Sequence, residues 1–248
     1  MLKTIYWYAH FMGTALLSLG KLKKANTLFK TGDTFACTQF THQVTSAWAR
    51  KQIKAANATV IVHGKENLIH DEAVIFMSNH QGNFDVAIFM GCIDVPKGYV
   101  SKIEIAKLPI ISTWMRYMHC VFMDRSTLRT SAQAIVEGVK SVQAGHSLVI
   151  FPEGTRSRSS VVGEFKGGSF KLATKSGAPI IPVTINGSYK LMEGNNGKVR
   201  SGEVHVTIHP PIQTKNLTKE ALTALPETVK QTIASALPHE GKPISHTA

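Results

Sequence analysis

Disulfide frameworks, metal-ligand clusters and nucleotide loops are all missing from this 248-residue sequence. Its three cysteines, Cys37, Cys92 and Cys120, are odd in number and form no CxxC pair, which points to a reducing compartment rather than a stapled secreted fold. No His/Cys grouping has the spacing of metal ligands, and neither GxxxxGKS/T nor GxGxxG occurs, so no metal and no cofactor is expected. Repeats and low-complexity tracts are missing too. Acidic residues are scarce: 16 Asp and Glu face 28 Lys and Arg. The resulting net charge of +12 calls for an anionic partner, whether nucleic acid, anionic lipid or a phosphorylated small molecule. With 43% hydrophobic residues the chain can still bury one large core, which excludes a disordered polypeptide.

What is present is unevenly spread. Residues 1–58 carry eight Lys or Arg against Asp33 alone, together with many apolar and aromatic residues. The 15-residue run IYWYAHFMGTALLSL (5–19) is shorter than the roughly 20 residues that span a bilayer. Followed after Gly20 by KLKK, it suits a helix lying in the membrane interface with Tyr6, Trp7 and Tyr8 at headgroup level. A second stretch, 34–56, places Cys37, Phe40, Val44, Ala47 and Trp48 at helical spacing. Together they form an expected N-terminal amphipathic two-helix membrane-docking motif, residues 1–58, ahead of a domain at 59–248. The aromatic core and the lysines after it speak against a cleaved secretory leader ending near Ser18 or Gly20. An ordinary packing helix stays open as a reading.

After residue 58 the pattern changes. Short β-rich runs occur at 59–64, 73–79, 98–102, 120–125, 147–154, 179–185 and 203–210, with helical stretches at 84–93, 103–118, 128–144, 165–176 and 218–236. This alternation implies an α/β fold with a largely parallel sheet flanked by helices. In such sheets ligand groups gather beyond the carboxyl ends of the strands. Polar residues in those places are His80, Lys102, Asp124, Arg125, Glu153 and Arg156. The two prolines in APIIPVTI (178–185) point to an edge strand or an unusual wall segment.

SNHQGNFDVAIF (78–89) sets His80 and Asp85 five residues apart at the mouth of an apolar run. On a continuous helix five residues turn a side chain by about 500°, so the two would diverge. Gly82 and Asn83 supply a turn and an N-cap, after which a helix starts near Phe84 with Asp85 in its first turn. A carboxylate there can fix one imidazole nitrogen and leave the other free as a base. A loop histidine beside a helix-capping aspartate would show the same residues. In FPEGTRSRS (151–159), Gly154 lets backbone approach a ligand, and Arg156 and Arg158 suit phosphate, although a solvated basic turn also fits. VFMDR (121–125) ends in Asp124 and Arg125, which alone would read as a surface ion pair.

NHQGNFD, VFMDR, FPEGTRS and APIIPVTI, in this order and at these separations, resemble the four blocks of glycerolipid acyltransferases of the 1-acylglycerol-3-phosphate O-acyltransferase type, over about residues 59–210. The resemblance implies that His80 and Asp85 are the catalytic pair. It further implies that Arg125, Glu153, Gly154 and Arg156 bind the glycerol phosphate acceptor, with Lys102 at a basic position before the second block. The fourth block matches one linked to the acyl-donor side, and Gly82 departs from a more usual Ser. The implied reaction moves an acyl group from acyl-CoA or acyl-acyl carrier protein to the sn-2 hydroxyl of lysophosphatidic acid, giving phosphatidic acid on the cytoplasmic face of the cell membrane, with no nucleic-acid partner. Glycerol 3-phosphate or another lysophospholipid as acceptor, and a non-catalytic basic membrane- or nucleic-acid-binding protein, are the alternatives.

Overall fold

The structure, a computed structural model, describes residues 1–238; the last ten residues of the expected 59–248 domain lie outside the described residues. All seven expected strands form: β1 (Ala58–His63), β2 (Ile75–Ser78), β3 (Lys97–Lys102), β4 (Val121–Met123), β5 (Ser147–Ile150), β6 (Ile180–Asn186) and β7 (Gly202–Ile208). They join in one sheet of order β1-β7-β6-β2-β5-β3-β4. Every pairing is parallel except β6 with β7. Strands β2 to β6 therefore run in one direction and end at one rim.

The central strands are apolar without alternation because both faces of the sheet are covered. Phe76, Val149 and Ile181 face one cluster with Phe84, Ile88 and Phe89 from α4 (Phe84–Cys92). Ile75, Met77, Leu148, Ile150 and Ile180 face the other, formed with α6 (Leu128–Gln143), α7 (Gly167–Ser176) and α8 (Lys219–Ala234). The remaining helix of this part, α5 (Pro109–Tyr117), departs from the single expected helix at 103–118. Residues 103–107 form a 3-10 turn instead, since Pro109 pushes Leu108 into an extended conformation and then opens a new helix at its first position.

Two further expectations are corrected. Strand β6 lies inside the sheet between β7 and β2, although it contains Pro182. The ladder to β7 begins only at Val183, and beyond it Ile180 and Ile212 form an isolated bridge, so the proline occupies a break where a missing N–H is tolerated. The N-terminal region has three helices rather than two: α1 (Leu2–Leu17), α2 (Leu19–Lys30) and α3 (Thr34–Ala55). The lysine-rich α2 owes its place to packing, with Ala25 buried beside Cys37, Trp114 and Tyr117.

Trp7 is not at a headgroup position but in the main core, packed on Phe84 at 5.2 Å between ring centroids, with its Nε1 donating to Gln52 O. The buried face of α3 includes Thr41, Thr45, Ala49 and Gln52 as well as Cys37 and Val44. Gln52 donates to Thr14 of α1, and Ala49 meets α4 at Gly91, so these helices share the core of the sheet layer.

Candidate active site

His80 lies two residues beyond β2, and Asp85 in the first turn of α4, as the sequence implies. His80 Nδ1 is 2.7 Å from Asp85 Oδ2, which also accepts the backbone N–H groups of Gln81 (2.7 Å) and Gly82 (2.8 Å). An oxygen receiving two backbone donors is an acceptor, so the imidazole donates to it through Nδ1–H. Its Nε2 has no hydrogen-bonding partner among the described residues. The ring rests on Phe151, 4.1 Å between centroids and 18° between planes, and its side chain remains 16% exposed while that of Asp85 is fully buried.

The third block holds this loop from behind. Glu153 accepts His80 N at 2.7 Å and Gly163 N at 3.0 Å, and Ser157 N donates to His80 O at 2.7 Å. Burial pushes the Glu153 carboxyl up from its ordinary range, against the pull of those two backbone donors. Both of its oxygens are engaged by backbone, so within this structure it shapes the His80 loop.

Gly154 has φ +72, and a Cβ there would lie 3.1 Å from Lys166 Nζ and 3.3 Å from Arg125 Nη1. The glycine thus sits beneath two converging cations, and Arg125 donates to its carbonyl. Lys166 is a residue the sequence reading passed over; its signal was a lone lysine at the N-cap of α7 in FKGGS. Arg156 donates to Asn83 Oδ1 (2.6 Å) and to Glu193 Oε1 (3.0 Å), and Asn83 N donates to the same Glu193 oxygen. This ties the third block to the N-terminus of α4. A Cβ at Gly82 would meet the Glu193 carboxylate, so a side chain there would require Glu193 to shift. Lys102 ends β3, paired with Met123 at the end of β4, and is exposed; among the described residues it bonds to none of the other site residues.

Beside the loop, an apolar cavity of about 460 Å³ runs between α1, α4 and α5, lined by Trp7, Phe84, Ala87, Met90, Ile111 and Met115 among others. The arrangement as a whole is an oriented imidazole base with cations gathered along the same rim, and an apolar cavity that reaches the His80–Asp85 loop at Asn83 and Phe84. Among the described residues no group of three or more metal-ligating side chains occurs, and no helix is long and apolar enough to cross a membrane.

Comparison with known proteins agrees with this geometry. Residues 59–186 match the acyltransferase family model. The chain is similar to a chloroplastic 1-acyl-sn-glycerol-3-phosphate acyltransferase of Brassica napus, 35% identical over 176 residues covering 70% of this chain and 51% of that protein. It is 33% identical to the 1-acyl-sn-glycerol-3-phosphate acyltransferase of Borreliella burgdorferi over 68% of this chain and 69% of the other. Aligned stretches thus span about half the length of the chloroplastic relatives of Brassica napus and Arabidopsis thaliana. The crystal structure of the 1-acyl-sn-glycerophosphate acyltransferase from Thermotoga maritima superposes with a TM-score of 0.81 at 26% identity, covering 94% of this chain and 92% of that one.

Proposed function

The chain belongs to the acyltransferase family, and from that footing we propose that it transfers a fatty acyl group from acyl-CoA or acyl-acyl carrier protein to the sn-2 hydroxyl of 1-acyl-sn-glycerol 3-phosphate, giving phosphatidic acid. The observation that carries the reading is the His80–Asp85 bond of 2.7 Å with Nε2 left open. In this scheme Nε2 takes the proton of the acceptor hydroxyl as its oxygen attacks the thioester carbonyl. Asp85 stabilises the imidazolium, which then returns the proton to the departing thiolate. No acyl-enzyme is required. Arg125, Lys166 and Arg156, with Lys102 further along the rim, would hold the acceptor phosphate and so place the hydroxyl at His80. The roles of Glu153 and Gly154 are then to hold the His80 loop and to let the cations converge. The apolar cavity suits an acyl chain.

Residues 1–58 are read as docking the enzyme on an anionic leaflet, at the cytoplasmic face, without spanning it. Their support is eight basic residues against one acid, and an exposed apolar strip on α1. The test is thiol release from acyl-CoA on adding lysophosphatidate, run beside glycerol 3-phosphate and other lysophospholipids. His80→Ala should lower turnover by about 10²–10⁴-fold or more with the fold intact, and Asp85→Asn by no more than that. Near wild-type turnover in folded His80→Ala would refute the mechanism.

A further inference from the structure

The chain leaving the fourth block, which is matched by resemblance to the acyl-donor side, runs against the catalytic carboxylate. β6 leaves the sheet at Asn186 and turns at Gly187, φ +100, where a Cβ would press on Glu203 O; the next residue is Ser188, fully buried. Its Oγ donates to Asp85 Oδ1. Oδ2 of the same carboxylate is taken by three donors of its own loop. Ser188 is therefore the donor on the second oxygen, and it comes from the 3-10 turn that follows β6. A terminal carboxylate torsion is broad and roughly two-fold, so bonds on Oδ2 alone leave the plane poorly fixed. A donor on Oδ1 fixes it.

The serine is itself held in register. Gln81 Oε1 accepts Gly187 N at 2.9 Å and lies 3.4 Å from Ser188 Oγ. The Asn79 side chain donates to Ile185 O (2.8 Å) and accepts Ile185 N (2.9 Å), so it continues the β2–β6 pairing past Ser78. Asn79, Gln81 and Asp85 are thus clamped in turn to Ile185 of β6 and to Gly187 and Ser188 of the turn that follows it. The hydroxyl proton has two acceptors in reach, and the closer Asp85 oxygen outcompetes the amide oxygen, which Gly187 already satisfies. Complete burial and this donation rule Ser188 out as a nucleophile.

We propose that Ser188 is a positioning residue, which acts on the His80 base through Asp85 and makes the turn after the fourth block part of the catalytic support. The proposal rests on the reading of His80 as the base. Kinetics of the full chain test it. Loss of one hydrogen bond to a charged group predicts that Ser188→Ala lowers kcat about ten- to a hundredfold, with KM for donor and acceptor changed by less than about twofold. In an Asp85→Asn background the same substitution should cost less than about threefold more, because its target is already lost. If Ser188→Ala does not fold, the isosteric pair Ser188→Thr and Ser188→Val replaces it, and Thr should retain activity that Val loses. Unchanged kcat in folded Ser188→Ala, an equal loss in both backgrounds, or equal Thr and Val activities would each overturn the proposal. Turnover surviving in His80→Ala would instead overturn the base itself.

Discussion

At the scale of single residues the two arginines of the rim, Arg125 and Arg156, are not equivalent. Arg125 is exposed and bonded to Gly154 O, whereas Arg156 also neutralises the buried Glu193 and holds Asn83 at the start of α4. Arg125→Ala should therefore raise KM for the phosphorylated acceptor about ten- to a hundredfold, the worth of one charge-assisted pair, and leave kcat and KM for the donor nearly unchanged. Arg156→Ala should raise the same KM but also lower kcat and the melting temperature, since it leaves a buried carboxylate without its counter-charge and loosens the loop beside His80. Two-substrate kinetics with thermal melts separate the cases; an equal rise in both KM values for Arg125→Ala would show that it does not hold phosphate. Of this pairing the sequence revealed the basic residues but not Glu193, which lies 37 positions away in a glycine-rich turn with no motif of its own.

Among the elements, β3 begins with a lysine turned inward. Lys97 is 6% exposed, its Nζ donates to Ile93 O (2.6 Å) and Val95 O (2.9 Å), and burial brings its pKa down from 10.5 to about 7. In the unfolded chain the amine keeps its proton to far higher pH. Between these two limits the unfolded state binds more protons, so stability rises with pH across the interval. Cys120, pushed up to about 12 by burial from an ordinary value of 9, acts oppositely at higher pH, where the fold retains a proton the unfolded chain releases. The clean window is therefore from pH 7 to about 8.5. Denaturant titrations over that window should show the unfolding free energy increasing in the wild type and flat in Lys97→Met. Equal slopes would exclude the lysine as the cause.

For the whole molecule, the N-terminal helices face two ways. Trp7, Ile53 and Ala56 belong to the main core, while Leu2, Ile5, Met12 and Leu16 are more than half exposed at helical i, i+3, i+10, i+14 spacing, on one face of α1. Deleting residues 1–58 would uncover the Phe84 and Ile88 face of α4, so truncation confounds docking with stability. Replacing Leu2, Ile5 and Leu16 together by Glu avoids this. That variant should melt near the wild type yet lose sedimentation with anionic vesicles, as apolar burial and basic attraction are both reduced. Full retention on vesicles would place the docking surface elsewhere.

The strands, their burial on both faces and the rim bearing His80 and Asp85 were legible in the sequence because each is a local pattern: a short apolar run, then a turn with a polar residue, repeated along one sheet direction. The break at Pro109 and the in-sheet position of β6 were not, since a proline's cost depends on which neighbour faces its missing N–H. Nor was the inward turn of Trp7, because an aromatic residue fits a headgroup layer and a core equally well until its neighbours are known. Tertiary structure alone decided that Ser188 meets Asp85 from 103 residues away, that Glu193 meets Arg156, and that Lys166 converges with Arg125 over Gly154. These contacts are set by which polar groups are buried together, and a buried donor or acceptor must find its partner in space whatever its distance along the chain.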